Sequence, residues 1–561
     1  MTRPRLRGPK VGRPVGPGSR SRWLLLGSLV LGIVGLSALW YATRGALGPE
    51  TPAHGGRYVE AVVGAPYRVN PLYTSFNEVD KDLAALVFAG LTRLGPDGTV
   101  LPDLAESWEV SSDARVYTFH LRRDVTWHDG AAFSADDVLF TWSALRDPDF
   151  KGEPSLGQFW QRVECAKLDD FNVRCELPQP FAPFPAYATI GILPRHRLEG
   201  LSADSLSISP FNEQPIGTGP FILRELDSQR ALLESNPSYY LGEPLIEELE
   251  LRFFPDYASA VTALREKRVQ GLLLGPEASA EDLAQLEELR DMRQLTSRRN
   301  SYTILYLNTR LPLLEDKWVR QAILYALDRE AIVTNTLDGR AQLANSPIVP
   351  GTWAYSDDVS SNRHDPEQAR SLLEKRGWQM NSRGVMEKEG TELHLAILTD
   401  SDPERIAIAQ EIGRQLKEVG VEVSVESQGG SALVQDFILP RRFEAVLYGW
   451  DQGYDPDPYP AWHSSQAGGQ GLNLAGFSHQ YLDQVLSEAR QSSDLERRKA
   501  LYREFQQIFA QEVPSVLLFY PVYNYFIDQR VRGVSLGVLF EPASRFVNVH
   551  QWYVKTKHLG L

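Results

Sequence analysis

At 561 residues the chain is too long for one ordinary domain, and a composition that is 43% hydrophobic and 23% charged is that of a folded protein rather than a disordered one. Its formal net charge of −14 excludes the basic footprint that a nucleic-acid partner requires. The acidity is uneven: residues 1–42 carry seven basic side chains and no acid, so the remainder is more acidic by that amount.

In chain order, residues 1–22 are rich in Pro, Gly and Arg and read as a disordered cytoplasmic tail. "WLLLGSLVLGIVGLSALWYA", 23–42, follows with roughly 20 apolar residues, enough to cross a bilayer. Trp23, Trp40 and Tyr41 stand at its ends, and the basic flank keeps the N-terminus inside, so the body is exported. A cleaved signal peptide is the rival reading, but such segments are shorter and end in small residues, whereas "LWYAT" is bulky. The spacing therefore predicts a transmembrane anchor over 23–42 and a linker over 43–55. No Cys follows the apolar run to take a lipid.

A strand is expected over 56–64, then an amphipathic helix in "NEVDKDLAALVFAGLTRL". "RVYTFHL" alternates as a half-buried strand, with Tyr117, Phe119 and Leu121 on one face. His128, Asp129 and Gly130 supply turn chemistry, and Ser134 with Asp137 three residues on forms a capping-box helix start. This His–Asp pair and the adjacent Asp136 and Asp137 thus read as scaffold, since a hydrolytic site needs a nucleophile with a base and an orienting group. Cys165 and Cys175 are the only cysteines. "LDDFN" reads as a turn between two strands, and a loop over 169–171 sets Leu168 opposite Asn172 and Cys165 opposite Cys175. They are either a disulfide or two buried thiols; two thiols with no neighbouring His do not make a metal site.

"PDYASAVTALREKRVQGLLL" reads as helix then strand. In "EDKWVRQAILYALDREAIVTNTLDGRA" two helices start at Asp316 and Asp328 and stop at Gly339. "DPEQARSLLEKRGW" has Asp365 as cap, Pro366 at the first helical position and Gly377 after the end. "LHLAILT", "DPERIAIAQEIGRQLKEVG" and "VEVSVE" form a parallel strand–helix–strand unit. "FEAVLYGW" is a further strand, followed by the loop "DQGYDPDPYPAWHSS". A helix "RRKALYREFQQIFAQEV" and a strand "SVLLFYPVYNYFI" close the pattern. The expectation is an α/β domain inserted into a mixed domain to which the C-terminus returns, with a ligand cleft between two lobes.

These motifs, in their order, resemble the extracytoplasmic solute-binding proteins of peptide-type ABC importers, the oligopeptide/dipeptide/nickel-binding family 5. The carriers are "NPLYTS", "VFAGLTRLGPDGTVLPDLAESWEVSSD", "YTFHLRRDVTWHDGAAFSADDVLFTW", "PIGTGPFIL", "NPSYYLGEP", "YLNTRLPLLEDKWVRQAILYALDREAIV", "GWDQGYDPDPYPAWHSS" and "LYREFQQIFAQEVPSVLLFYP". The resemblance implies an α/β, two-lobed periplasmic-binding-protein fold with an extra subdomain: lobe I over 56–300, lobe II over 301–515, and a return to lobe I over 516–561. It implies a receptor that binds a peptide or small solute and delivers it to permease subunits, with no catalysis; a monomer without cofactor or metal site is expected. Its ligand-contacting positions fall on Tyr73, Thr74, Ser75, Phe76 and Asn77, and on the loop from Trp450, where Trp450 and Tyr454 could pack on side chains and Asp451, Asp455 or Asp457 could meet an ammonium; Trp353 lies in a loop often turned to the cleft.

Two departures stand out. The acid that captures a peptide's α-amino group in this family is Gly453 here, which predicts little demand for a free N-terminus. The Gly-Glu-Val-Asp before a cleft strand is Lys267–Gln270. Three other readings compete: a ligand sensor on the same fold, a receptor for sugars or metal chelates, and an exported hydrolase. The first lacks a signalling domain, a direct nickel site lacks clustered His, and the last lacks a nucleophile constellation.

Overall fold

The computed structural model describes residue 12 and residues 47–359 and 363–560. The tail 1–22, apart from Gly12, and the apolar run 23–42 lie outside the described residues. Among the described residues no helix is long and apolar enough to cross a membrane.

The chain divides into two units. In the smaller, strands Leu47–Ala53 and Lys555–Gly560 pair antiparallel, Thr51 opposite Lys557 and Pro52 opposite Thr556. This corrects the linker expected over 43–55. Gly48, Pro49 and Pro52 read as linker chemistry, yet a two-stranded ribbon has only edges, where proline is tolerated.

The larger unit, 54–554, is organised on the strand Ser515–Asp528. Its first part pairs antiparallel with Ser301–Leu307, and its later part with Met292–Arg298 and Gly271–Leu274. The change of partner falls near Pro521, where Phe519 still faces Thr303 and Val522 already faces Arg298. The strand therefore stays with lobe II some five residues longer than a boundary at 516 implies. On one side of it the sheet continues through the parallel strands Arg57–Val63 and Glu248–Phe254. On the other it runs through Ala445–Asp451 to His394–Asp400 and Glu422–Gln428, which are parallel and joined by the helix Pro403–Glu418, as their alternation of strand and helix signals predicts.

The extra subdomain is a four-stranded antiparallel sheet built on Val116–Leu121, whose Tyr117, Phe119 and Leu121 are buried. The helix Ala135–Arg146 covers it, starting at the expected capping box of Ser134 and Asp137, and Trp142 stacks on Trp160 at 4.8 Å. Cys165 and Cys175 face each other across the outer hairpin and are bonded, their Cα atoms 4.1 Å apart. Near the turn the register differs from the expected one: Asp169, not Leu168, opposes Asn172, and a bulge absorbs the extra residue.

Two further elements differ from expectation. The helix read through "NEVDKDLAALVFAGLTRL" is Glu78–Val87, and Thr92–Leu94 is a strand. Gly90 lies just past the helix end, and its backbone is so close to Thr189 that a Cβ there would sit 2.5 Å from the carbonyl oxygen, so only glycine fits. At the second departure, Lys267 takes the left-handed conformation, φ 59°, at a position the resemblance gives to glycine, and the Gln270 side chain accepts the Val59 amide at 3.0 Å. Gln270 therefore ties two strands together.

The C-terminal return is pinned by a buried ion network. Arg545 donates to Glu60 at 2.6 Å and to both oxygens of Asp82 at 2.6 and 2.7 Å, while Tyr58 and Tyr525 donate to the other oxygen of Glu60. All five side chains are buried, and a buried ion pair holds only if its remaining lone pairs and protons are satisfied. Here they are, and the short helix Pro542–Phe546 is fixed against the strand Arg57–Val63 and the helix Glu78–Val87.

Candidate functional site

Asn77 caps the helix Glu78–Val87 by accepting the amides of Val79 and Asp80 at 2.9 and 3.2 Å. With the helix so started, Lys81, Ala84 and Ala85 share one face at spacings of three and four. That face, the loop residues Thr74 and Ser75, and the return segment with Phe540 and Glu541 enclose a cavity of about 300 Å3. Glu153 and Leu156 close another wall. Among the described residues Tyr454 is the one lining residue from lobe II. The cavity is thus built mainly in lobe I and its C-terminal return, with lobe II reaching it through a single ring.

The polar end is a connected set. The Tyr454 hydroxyl donates to Glu541 Oε2 at 3.1 Å. Lys81 Nζ lies 3.9 Å from the same oxygen and 3.0 Å from Glu78 Oε1. Burial pushes the Glu541 carboxyl above the usual carboxylate range, against the pull of Lys81 and the Tyr454 hydrogen bond. The charge of Glu541, foremost, holds the Tyr454 phenol well above its ordinary value. At the opposite end Asp103 is pushed up to about 6 by burial and accepts the Tyr240 hydroxyl. Backbone groups, an apolar wall and a few placed charges are what an extended polar ligand requires.

The structure divides the residues expected at the site. Thr74, Ser75 and Tyr454 line the cavity. Tyr73 is a core residue whose hydroxyl donates to the Ala203 carbonyl at 2.6 Å, Phe76 is exposed, and Asn77 is the helix cap. Trp353 is buried under the Arg498 guanidinium, 4.8 Å from its ring centroid, and Trp450 packs on the lobe II core. The acids are consumed elsewhere: Asp451 pairs with Arg299 at 3.1 Å, Asp455 with Arg498 at 2.7 Å and Asp457 with Arg490 at 3.1 Å. Gly453, at φ 69°, has open space where a side chain would stand. Sequence reasoning missed Lys81, Glu153 and Glu541. Lys81 looked like the solvent face of a helix, and Glu541 lies in "VLFEPASRF", beyond the motifs that carried the resemblance; the small pair Ala84–Ala85 beside a lone Lys was the one available signal.

A model of the bacterial extracellular solute-binding proteins, family 5, matches residues 99–471. The chain is similar to the oligopeptide-binding protein AppA of Bacillus subtilis, with 29% identity over 90% of this chain and 92% of that one. The solved structure of AppA from Bacillus subtilis with a nonapeptide superposes with a TM-score of 0.65, covering 90% of this chain and all of that one. A di/tripeptide-binding protein of Pseudomonas aeruginosa is 31% identical over 86% of this chain and 92% of its own. NikZ of Campylobacter jejuni, solved with Ni(L-His), is 29% identical with a TM-score of 0.66, covering 89% of this chain and 99% of its own. The match spans well over half the sequence, includes the extra subdomain and agrees with the two-lobed architecture. The chain belongs to family 5 of the bacterial extracellular solute-binding proteins, and is a non-enzymatic, substrate-binding receptor of an ABC importer.

Proposed function

We propose that this protein captures short peptides outside the cytoplasmic membrane and hands them, as a monomer, to the permease subunits of its importer, held near them by an anchor over 23–42. The carrying observation is the cavity of about 300 Å3, which joins the Thr74–Ser75 loop to an apolar wall and a small charged end. Its volume suits a short ligand. Peptide binding in the named relatives AppA and the di/tripeptide-binding protein supports the same class. In this reading the ligand-contacting residues are Thr74, Ser75 and Tyr454, with Lys81, Glu153 and Glu541 added; lobe I runs over 56–300 and lobe II from 301 to the partner change near Pro521. Main-chain groups of an extended peptide pair with backbone, so affinity needs little sequence demand. NikZ, with its nickel–histidine complex, marks the alternative class of small chelates.

Native mass spectrometry of the full-length protein with its co-purified ligand tests the class. Short peptides are expected; sugars or metal chelates alone would replace the peptide assignment. Cell fractionation with N-terminal sequencing tests the anchor, which fails if the mature chain begins just after Ala42 and is free in the soluble exported fraction.

A further inference from the structure

We propose that Asn300 is a positioning residue. It ties the hinge between the lobes to the two segments that meet across the cavity mouth, and so sets how firmly a bound ligand is held. Its effect on ligand release rests on the peptide reading above; its hold on the loop does not.

Asn300 stands where the chain changes lobe. The lobe I strand Met292–Arg298 and the lobe II strand Ser301–Leu307 are separated by Arg299 and Asn300 alone. The other crossing, the strand Ser515–Asp528, is bonded to it at the same point, where the Arg299 amide donates to the Pro521 carbonyl at 2.9 Å. Two short crossings joined by a hydrogen bond confine an opening motion to a few backbone torsions, which is how a hinge works.

From that point Asn300 reaches both sides of the mouth. Its amide donates to the Leu539 carbonyl at 2.8 Å, two residues before Glu541, and its carbonyl accepts the Gln452 amide at 3.1 Å. Its side-chain Nδ2 donates to the Gly453 carbonyl at 2.8 Å, one residue before Tyr454. The hydrogen bond from Tyr454 to Glu541 therefore joins two segments that a single residue already holds from behind. Gly453 is left-handed, at φ 69°, and has no side chain to fix the loop, so the bond from Asn300 supplies the missing restraint. Asn300 is fully buried, and its Oδ1 has no partner among the described residues. A buried amide with an unmet acceptor is unfavourable beside an apolar side chain of the same shape. What the amide adds is its one side-chain bond, to the loop.

The test compares the full-length wild type with Asn300→Ala. Without ligand, hydrogen–deuterium exchange should rise about tenfold over residues 451–455, the effect of stranding one buried carbonyl, and stay unchanged in the rest of lobe II. A pool of random tripeptides, followed by mass spectrometry after dilution, should leave Asn300→Ala about tenfold faster than the wild type. Tyr454→Phe should also speed release, and the double variant should match the faster single one within about twofold, because both act on one set of contacts. Thr303→Val, also buried and three residues further on, should change neither measurement. Unchanged exchange over 451–455, exchange raised throughout lobe II, release unaltered in either single variant, additive effects in the double variant, or a Thr303→Val variant that matches Asn300→Ala each overturns the positioning role and leaves the peptide reading standing. If the wild type retains no tripeptide, the peptide reading fails and exchange over 451–455 alone decides the role of Asn300.

Discussion

Asp455 and Arg498 meet at 2.7 Å with 6% and 7% of their side chains exposed, and Tyr502 also accepts from the guanidinium at 2.9 Å. An Asp in an Asp-Pro loop gave no sign of this, because its partner lies 43 positions onward on a helix. Burial makes the pair a structural element: removing one partner strands the other charge in a low-dielectric interior. Asp455→Ala should therefore cost about 3–5 kcal/mol of stability, read from urea unfolding, far beyond a surface ion pair. Loss of ligand affinity with unchanged stability would return Asp455 to the binding site. His128, from the Trp-His-Asp-Gly stretch, is the other residue whose role the fold decides. Its Nδ1 accepts the Gly217 amide at 3.2 Å, so Nε2 carries the proton and donates to the Gly219 carbonyl at 3.1 Å. Burial lowers the imidazole from 6.5 to about 4. A depressed folded value means the stability contribution is complete above 6.5 and is lost as pH falls towards 4, amounting to about 3 kcal/mol in all. Unfolding free energies measured across that window should show the slope, and His128→Gln should remove it.

At the scale of elements, much was legible where the signal is local. Asp316, Asp328 and Asp365 cap the helices they were expected to cap, and Gly377 ends its helix at φ 89°. The capping box at Ser134 is of this kind: Ser134 Oγ accepts the Asp136 amide at 3.3 Å, and Asp137 returns a bond to the Ser134 amide at 2.9 Å. Ser134→Ala should cost about 1 kcal/mol of stability, checked by thermal unfolding, because one amide at the helix start loses its partner. A null result would mean water replaces the hydroxyl without loss. What stayed hidden depends on tertiary approach. The helix stops early, at Val87, and Gly90 beyond it is packed against Thr189, a crowding that apolar periodicity does not encode. The strand Leu47–Ala53 exists through a partner some five hundred residues away. The candidate cavity was legible only in part for the same reason. Its loop residues were found by type and position, but Tyr454 and Glu541 meet across 87 positions, and the acids expected to serve a ligand were taken by arginines that no local pattern pairs with them.

Across the whole larger unit, contacts outside the cavity lining join the segments assigned to the two lobes, and they are expected to favour closure. The Ala182 amide donates to the Arg490 carbonyl at 2.8 Å, and the Trp353 amide to the Asp97 carbonyl at 2.9 Å. The Arg490 guanidinium lies over Phe181 of the extra subdomain at 5.0 Å, while its Asp457 partner and the Tyr459 ring, 4.4 Å away, belong to lobe II. A ligand shifts an open–closed equilibrium only by its difference in affinity for the two states, so any contact that stabilises closure adds to apparent affinity. Phe181→Leu weakens one such contact: it keeps apolar volume, leaves the Arg490–Asp457 pair intact, and removes an aromatic face that also meets Phe159 and Tyr187 at 5.7 and 5.6 Å. A cation over a ring contributes about 0.5–2 kcal/mol, so the unliganded protein should open, with a larger radius of gyration by small-angle X-ray scattering. Saturating peptide should restore the wild-type curve, since closure is still attainable, and affinity should fall by about twofold to thirtyfold, through faster dissociation. Scattering curves and dissociation rates that coincide for the two proteins would show that Phe181 packs lobe I alone, and that closure is held at the Trp353–Asp97 contact and at the cavity mouth between Tyr454 and Glu541.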